Sequence, residues 1–492
     1  MTHAFTPPPR VASFKTLAAF KAHLAALSIP TDCDDALLPP EKSPLGQSAK
    51  IGGFSIGNRF TVQPMEGWDG TPEGRPTELT LRRWRNFGRS GAKLIWGGEA
   101  LAVRHDGRAN PRQLFYAPEN QAALAELPQV LLAEHQNQFG GTKDLLLGLQ
   151  LTHSGRFCRP GPGSDMKPRI TYRHPVMDAR VGLMEARAQD AALMHDEDLA
   201  ALVEDYATAA VFAQEAGFHF VDLKHCHGYL LHELLSAHSR PGPYGGSFEN
   251  RTRMLREIVA GIRRRAPGLM IGVRLSAYDL VPFRMPAAGE PPHGMPESLK
   301  GLLPYRHGFG LNPDNPLEMD LTEPVAFLKL CRDLGIPLVN ITAGSPYSTP
   351  HLQRPALFPP SDGYPPPEDP LVGCGRLLQV TAILKRAVPE LFYVGTGYTY
   401  YQDFLPLVAQ AQLRMGNVDS VGLGRMMLSY PELAADLLAG RPLDRKKICR
   451  TFSDCTTAPR KGLVSGCYPL DAFYKERPEA LVIKQVKAGK GS

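Results

Sequence analysis

Short β-rich runs alternate with amphipathic helical stretches along most of this chain, and this alternation constrains its fold more than any other feature. Eight strand–helix units lie between residues 60 and 439. Strands separated by helices pair in parallel, because a parallel connection needs a crossover. Eight such units in about 400 residues predict a single (β/α)₈ (TIM) barrel. The alternation alone leaves an open, doubly wound sheet as the alternative.

Hydrophobic periodicity places the individual elements. The clearest helix has apolar residues at helical spacing from Leu199 to Ala210. The predicted strands are 60–64, 93–96, 145–151, 220–223, 270–275, 338–342, 392–394 and 420–423. The predicted helices are 79–89, 119–137, 197–216, 250–265, 324–334, 376–388, 401–415 and 431–439.

Long loops interrupt the repeat after strands three, five and six. Loops that follow strands lie on the catalytic face of such a barrel, so we expect these three to shape a substrate pocket or an oligomer contact. They are residues 157–195, 280–320 and 344–372. The predicted domain organisation is an N-terminal extension, 1–44, the barrel, 45–444, and a C-terminal extension, 445–492.

Composition narrows the functional classes. The chain has 492 residues, 55 basic and 49 acidic side chains and a net charge of +6, without a basic stripe. We therefore expect no nucleic-acid or membrane-surface partner. No run of about 18 apolar residues predicts a transmembrane helix. The eight cysteines are scattered, unlike a secreted disulfide framework, which favours a cytoplasmic protein.

The most specific signal follows the fourth predicted strand. Lys224 is followed by His-Cys-His-Gly-Tyr-Leu, and residues 244–251 read Tyr-Gly-Gly-Ser-Phe-Glu-Asn-Arg. Together these runs resemble the strand-four signature of the Old Yellow Enzyme family. The resemblance covers roughly residues 45–442. It implies an FMN-dependent oxidoreductase that uses NADH or NADPH and a small-molecule substrate, and it is compatible with a homo-oligomer.

Further landmarks of the resemblance occur in the expected order. The first-strand end, the third-strand Gln, the fifth-strand Arg and the Gly-containing ends of strands seven and eight all resemble that family's cofactor site. The resemblance therefore implies this set of FMN-binding residues: Pro64, Met65, Glu66, Gly98, Gln150, Arg274, Gly395, Gly397, Gly424 and Arg425.

The chemistry of FMN explains several of these residue types. Gly397 and Gly424 leave backbone N–H groups free to approach a phosphate, and Arg425 adds charge-assisted hydrogen bonds. Gln150 offers both a donor and an acceptor to the pyrimidine edge of the flavin. Arg274 carries a fixed charge that stabilises an anionic reduced flavin. The structural alternatives are ordinary turns for the glycines, a buried amide and an internal ion pair.

The resemblance assigns catalysis to Tyr229, Lys224 and His227. Tyr229 would donate a proton to the α-carbon of an activated alkene. Lys224 and His227 would donate hydrogen bonds to the substrate carbonyl. Lys224 departs from the family, which usually places His there. The lysine at this position leaves two alternative enzymes open. One is an FMN-dependent dehydrogenase or demethylase of an unusual substrate, and the other is a flavin-free lyase that forms a Schiff base on Lys224. A barrel that serves as a non-catalytic scaffold is a further alternative.

We expect no metal site. Cys455 and Cys467 keep the last spacing of an iron–sulfur run found in some relatives, but Ile448 and Thr451 stand at its first two positions. The His and Cys residues around Lys224 match no common zinc spacing.

Overall fold

The computed structural model describes residues 7–162 and 165–489, and its strands alternate with helices along that range. The strands are β1 (Ala49–Ile51), β2 (Phe54–Ile56), β3 (Phe60–Val62), β4 (Leu94–Ile95), β5 (Ala100–Ala102), β6 (Leu146–Thr152), β7 (Phe220–His225), β8 (Met270–Ser276), β9 (Phe283–Arg284), β10 (Met295–Pro296), β11 (Leu338–Thr342), β12 (Phe392–Gly395) and β13 (Ser420–Leu423).

The helices fall between and after these strands. They are α1 (Leu17–Ala26), α2 (Glu78–Gly88), α3 (Gln121–Phe139), α4 (Met177–Arg180), α5 (Ala186–Ala192), α6 (Asp196–Glu215), α7 (Leu230–Leu235), α8 (Phe248–Arg251), α9 (Arg253–Arg265), α10 (Thr322–Asp333), α11 (Pro350–Gln353), α12 (Pro370–Ala387), α13 (Leu405–Arg414), α14 (Met426–Ser429), α15 (Leu433–Leu438), α16 (Asp454–Arg460), α17 (Ala472–Lys475) and α18 (Glu479–Lys487).

Eight parallel strands close into a ring. Its order is β3, β4, β6, β7, β8, β11, β12 and β13. The ring closes where β13 pairs with β3, with Val421 opposite Phe60, and β4 bridges directly to β6. The (β/α)₈ barrel predicted from the sequence is therefore confirmed, and the open doubly wound sheet is excluded.

The amino end of the barrel is plugged by the β1–β2 hairpin. Ile51 and Ile56 of this hairpin pack with interior side chains, which include Trp96, Phe220 and Leu338. All five side chains are buried. Because apolar residues fill this end, a cavity for a ligand has to open at the carboxyl end of the strands.

The C-terminal extension lies against the carboxyl end of the barrel. The Ser465 hydroxyl oxygen accepts a hydrogen bond from the backbone N–H of Trp68 at 2.9 Å. Asp471 forms a salt bridge with Arg82 of α2 at 2.9 Å. Residues 454–474, which include α16 and part of α17, therefore help to wall the face on which the site forms. Of the helices in residues 7–162 and 165–489, none is both long enough and apolar enough to cross a bilayer.

Candidate active site

A cavity of about 730 Å³ opens at the carboxyl end of the barrel strands. Most of the predicted site residues line it. These are Pro64, Met65, Glu66, Gln150, Lys224, His227, Tyr229, Arg274, Gly397, Gly424 and Arg425. Residues distant in sequence thus meet in one pocket, as the carboxyl ends of a barrel's strands require.

Two predicted cofactor residues, Gly98 and Gly395, are not among the residues that line this cavity. The carbonyl oxygen of Gly98 accepts a hydrogen bond from Arg83 at 2.8 Å. The carbonyl oxygen of Gly395 accepts one from the Gln63 amide at 3.2 Å. Arg83 and Gln63 do line the cavity, so the two glycines support its wall from behind.

Lys224 lies near the end of β7 with its ammonium group over an aromatic face. Its Nζ is 3.8 Å from the ring centre of Tyr229. The side chain is buried, and no carboxylate of the described residues forms a salt bridge with it. Burial lowers the pKa of Lys224 below its usual value of 10.5, an effect that the charge of Glu66 partly offsets. A cation over an aromatic face is stabilised by the ring quadrupole.

His227 is fixed by its backbone. Its φ angle is 66°, which is rare for a residue with a side chain. The backbone N–H of His227 donates to the Ser276 hydroxyl at 3.0 Å, and its carbonyl accepts from the Ser345 hydroxyl at 2.7 Å. Burial first, and then Arg274 and Lys224, hold the pKa of His227 well below its usual range. The imidazole is therefore neutral and carries one N–H donor.

Tyr229, the residue just before α7, contacts the loop that follows β3, the first barrel strand. Its hydroxyl donates to Oε2 of Glu66 at 2.6 Å. The other carboxylate oxygen, Oε1, accepts from the amide of Asn110 at 3.1 Å. Burial, followed by the charge of Glu66, raises the pKa of Tyr229 well above its usual value.

Gln150 is oriented by a buried carboxylate that the sequence analysis did not identify. Oδ2 of Asp222 accepts from Gln150 Nε2 at 2.5 Å and from the Trp96 indole at 2.7 Å. Its Oδ1 accepts from the backbone N–H of Arg274 at 2.7 Å. One of the two hydrogens on the Gln150 amide nitrogen is thereby engaged, and Oε1 remains as its free acceptor. The sequence does contain a signal for Asp222, because it is an acidic residue inside the otherwise apolar run Phe-Val-Asp-Leu.

Two arginines lie close together, Arg354 on the loop after β11 and Arg425 just beyond the end of β13. Nη2 of Arg425 donates to the carbonyl of Pro355 at 3.0 Å, so Arg425 touches the residue after Arg354. Nη1 of Arg425 is buried without a hydrogen-bond partner among the described residues. Burial and the neighbouring Arg425 lower the pKa of Arg354 to about 9. The sequence analysis missed Arg354 because it lies in an irregular loop.

The geometry fits FMN at both ends of the cavity. Gly397, with φ 98°, and Gly424, where a Cβ would meet only the Gln63 side chain at 3.7 Å, allow a phosphate to approach the backbone beside the unpaired Nη1 of Arg425. At the other end, the free Oε1 of Gln150 suits the ring N3–H, and Nε of Arg274 is buried without a partner among the described residues. Orphaned buried donors of this kind call for a ligand acceptor.

The residues around the cavity do not assemble a metal site. Within residues 7–162 and 165–489, no group of three or more His, Cys, Asp or Glu side chains is placed to hold a metal ion. Cys455 and Cys467 line the cavity as free thiols.

Fold and site together define this chain as a flavin-type (β/α)₈ barrel. Residues 45–286 match the model of the NADH:flavin oxidoreductase / NADH oxidase family. The match covers just under half of the chain and agrees with the resemblance to the Old Yellow Enzyme-like NADH:flavin oxidoreductases that the strand-four signature predicted.

Curated relatives agree with this assignment. The chain is 33% identical over 245 residues to an NADH:flavin oxidoreductase of Gibberella zeae, which covers 46% of this chain and 55% of the relative. It is 28% identical over 242 residues to an NADPH dehydrogenase of Halalkalibacterium halodurans, covering 48% of this chain and 64% of that protein. The matches thus span less than two thirds of the length of these two relatives.

Solved structures share the fold. An Old Yellow Enzyme homologue from Zymomonas mobilis aligns with a TM-score of 0.55 at 20% identity, covering 81% of this chain and 93% of that one. A 2-naphthoyl-CoA reductase aligns with a TM-score of 0.62 at 17% identity, covering 89% of this chain and 57% of that one. At these identities the likeness concerns the fold alone.

Proposed function

We propose that this protein is an FMN-dependent NAD(P)H oxidoreductase that reduces activated C=C bonds of a small molecule. The observation that carries the proposal is the convergence of Lys224, His227 and Tyr229 on one wall of the cavity that also fits FMN. A carbonyl-binding pair and a proton donor beside a flavin site are the groups that such a reduction needs.

Each residue has a defined task in this proposal. Bound FMN would supply the hydride. Lys224 and the N–H of His227 would hold the substrate carbonyl and stabilise the negative charge that develops on its oxygen. Tyr229 would deliver a proton to the α-carbon. Pro64, Met65, Gln150 and Arg274 would position the flavin ring, with Gly397, Gly424 and Arg425 on its phosphate.

An FMN-dependent dehydrogenase of an amine fits the charges of the cavity less well. Lys224 and Arg274 are both buried in its wall. Two cations would repel an ammonium substrate in a medium of low dielectric. The same charges favour a neutral carbonyl compound or an anion.

A Schiff-base lyase is the second candidate, and one observation favours it. Burial lowers the pKa of Lys224, which increases the fraction of neutral amine available for attack on a carbonyl. Borohydride treatment with a ketone or aldehyde would trap such an adduct, and mass spectrometry would locate it on Lys224. The lyase does not account for the unpaired Nη1 of Arg425 or for the free Oε1 of Gln150.

The absorption spectrum of the purified protein tests the proposal. We expect bands near about 370 and about 450 nm that bleach with anaerobic NADH or NADPH and return when an enone is added. Tyr229→Phe should still bleach but should recover its colour slowly. A colourless protein that does not take up added FMN would overturn the proposal. Bleaching that no enone reverses would leave the flavin but remove C=C reduction.

The domain organisation, the cellular location and the oligomeric state are also part of this proposal. We propose residues 45–444 as the catalytic barrel and the segments on either side as extensions. The eight cysteines are free, which supports a reducing, cytoplasmic location. A homo-oligomer is compatible with the family, and light scattering of the purified chain would determine its state.

A further inference from the structure

Arg159, on the loop after β6, lines the cavity and has no carboxylate partner among the described residues. Nine arginines of residues 7–162 and 165–489 line this cavity. Five of them are neutralised by a salt bridge with a carboxylate: Arg82, Arg83, Arg180, Arg284 and Arg460. Of the other four, Arg274 serves the flavin ring in the proposed function, and Arg354 and Arg425 face its phosphate. The positive charge of Arg159 is therefore left without an anion.

The guanidinium of Arg159 is available to a ligand. Its Nε is buried without a hydrogen-bond partner, and no other described residue forms a hydrogen bond or salt bridge with its side chain. Buried donors without a partner call for an acceptor. Because a guanidinium is a planar, charged fork of N–H donors, the acceptor that matches it best is a carboxylate or a phosphate.

Arg108 holds the backbone on both sides of Arg159. The N–H of Arg159 donates to the carbonyl of Arg108 at 2.7 Å. The carbonyl of the next residue, Pro160, accepts from the guanidinium of Arg108 at 2.5 Å. Arg108 is itself buried. The Arg159 side chain therefore starts from a fixed point in the cavity wall, which reduces the ordering that a ligand has to impose on it.

Arg159 lies on the Tyr229 side of the cavity. Phe157, two residues before it, stacks on Tyr347 with ring centres 3.8 Å apart and ring planes at 9°. The hydroxyl oxygen of Tyr347 is 3.4 Å from that of Tyr229. Burial raises the pKa of Tyr347 to about 12, and the positive charges of Arg460 and Arg159 oppose this rise. Both cations are therefore close to the tyrosine that neighbours the proposed proton donor.

The same wall carries an apolar surface. Phe157, Met166 and Tyr347 line the cavity and pack in one hydrophobic cluster with Tyr229. This surface suits a hydrocarbon segment, because burial of apolar area is favourable. A ligand that reaches from the proposed carbonyl site to Arg159 would lie along it.

We infer that Arg159 determines substrate specificity, and that the substrate is an enone with a carboxylate that Arg159 binds. The carbonyl lies at Lys224 and His227, and a hydrocarbon segment joins the enone to the carboxylate. The carboxylate takes no part in the bond changes. It neutralises Arg159 and fixes the position of the reacting carbons. The inference rests on the proposed C=C reduction, which assigns the other end of the substrate.

Matched substrates test this inference. A 2-cyclohexenone with a propanoate side chain and the methyl ester of the same compound differ in charge at one end. The holoenzyme is reduced with one equivalent of NADPH, mixed with either compound by stopped flow at neutral pH, and followed by the return of flavin absorbance. The wild type should react about ten- to a hundredfold faster with the acid than with the ester at low concentration, the effect of a charge-assisted hydrogen bond.

Variants of Arg159 show whether it is the source of the preference. Arg159→Met should lower the ratio of the two rates to about one, and Arg159→Lys should keep part of it. Because the ratio compares two compounds on one variant, a general loss of activity does not affect it. Arg173→Met removes an exposed arginine of the same loop, which pairs with Asp190, and should keep the wild-type ratio. An equal loss of the preference in Arg173→Met would overturn the inference.

The phosphate of NADPH is a second possible anion for Arg159, and the reductive half-reaction distinguishes it. The ratio of the affinities for NADPH and NADH should be the same in Arg159→Met and in the wild type. A variant that changes this ratio and keeps the preference for the acid would assign Arg159 to the NADPH phosphate and overturn the inference.

Binding without turnover separates a failure of this inference from a failure of the proposed function. Titration of the oxidised holoenzyme with the acid and with the ester, followed by the flavin difference spectrum, measures affinity alone. Equal affinities and equal rates for the two compounds overturn the role of Arg159 and leave C=C reduction. Tighter binding of the acid, lost in Arg159→Met, without reoxidation of the flavin by either compound overturns the proposed function and leaves Arg159 as a carboxylate-binding residue.

Discussion

Nε2 of Gln150 lies 2.5 Å from Oδ2 of Asp222, and this contact decides which end of the Gln150 amide faces the cavity. Asp222→Asn replaces an oxygen that accepts two hydrogen bonds with either a donor or a poorer acceptor. We expect Gln150 to lose its fixed orientation and the affinity for FMN to fall about tenfold, the effect of about 1.4 kcal/mol. Quenching of FMN fluorescence by the apoprotein measures this.

A matched variant shows whether the effect comes from orientation. Asp419→Asn also alters a strand-end carboxylate with a backbone partner, the N–H of Tyr393 at 2.9 Å, but Asp419 does not line the cavity. It should leave FMN affinity unchanged. Equal affinities of Asp222→Asn and wild type would show that Gln150 does not depend on Asp222.

Asp222 should also make stability depend on pH. Burial raises the pKa of Asp222 from 3.8 to about 6. A carboxyl whose folded pKa lies above its unfolded value stabilises the fold while protonated, so its contribution is present below pH 3.8 and is lost as the pH rises through about 6. A shift of about two pH units corresponds to about 3 kcal/mol.

Urea denaturation of the apoprotein tests whether the stability decreases as the pH rises. Because Asp222→Asn cannot ionise at this position, the free energy of unfolding of the wild type minus that of the variant should decrease by about 3 kcal/mol from about pH 4 to about pH 7. A difference that stays constant over this range would mean that Asp222 ionises as easily in the folded chain as in the unfolded one.

Arg354 should contribute to phosphate recognition together with Arg425. Both guanidinium groups lie in the cavity wall, and neither has a carboxylate partner among the described residues. We expect Arg354→Met to reduce the preference of the apoprotein for FMN over riboflavin by about ten- to a hundredfold while riboflavin affinity stays constant. Isothermal titration with the two flavins measures the ratio.

A second arginine provides the control for that experiment. Arg332→Met removes a partly exposed guanidinium that pairs with Asp333 and Glu390, and the ratio should not change. Equal losses of FMN and riboflavin affinity in Arg354→Met would instead assign Arg354 to the ring or to the shape of the cavity.

The fold could be predicted because the patterns that indicate strands and helices are local in the sequence and repeat along the chain. Strand 338–342 and strand 420–423 were placed at their observed bounds, since apolar runs between helices leave little choice. The β1–β2 and β9–β10 hairpins were missed because their strands are only two or three residues long. Helices α16 to α18 were missed because their position depends on contacts with distant loops, such as Arg82 with Asp471.

Site residues could be predicted where they belong to one sequence motif. Lys224, His227 and Tyr229 follow one strand, so a single signature located all three. Asp222 and Arg354 act through partners more than 50 residues away, Gln150 and Arg425 among them, and no local pattern links such residues. The partnership of Glu66 with Tyr229 joins positions 163 residues apart, and only the closed barrel brings them together.

Substitution of Lys224 distinguishes C=C reduction from Schiff-base chemistry. The ammonium of Lys224 lies over the ring of Tyr229 and has no salt-bridge partner among the described residues, so a substrate oxygen is its natural acceptor. Histidine, the usual residue of this family at that position, also donates a hydrogen bond to a carbonyl but cannot form a Schiff base. Methionine fills similar volume and does neither.

In enone reduction, Lys224→His should therefore keep kcat/KM within about tenfold of the wild type, and Lys224→Met should lower it about a hundredfold, the effect of losing one donor to a developing oxyanion. Steady-state kinetics with a fixed enone and NADPH measure both. FMN reduction by NADPH should remain close to wild type in each variant. Complete loss of turnover in Lys224→His, with a borohydride-trapped adduct on Lys224 of the wild type, would replace the reductase with the lyase.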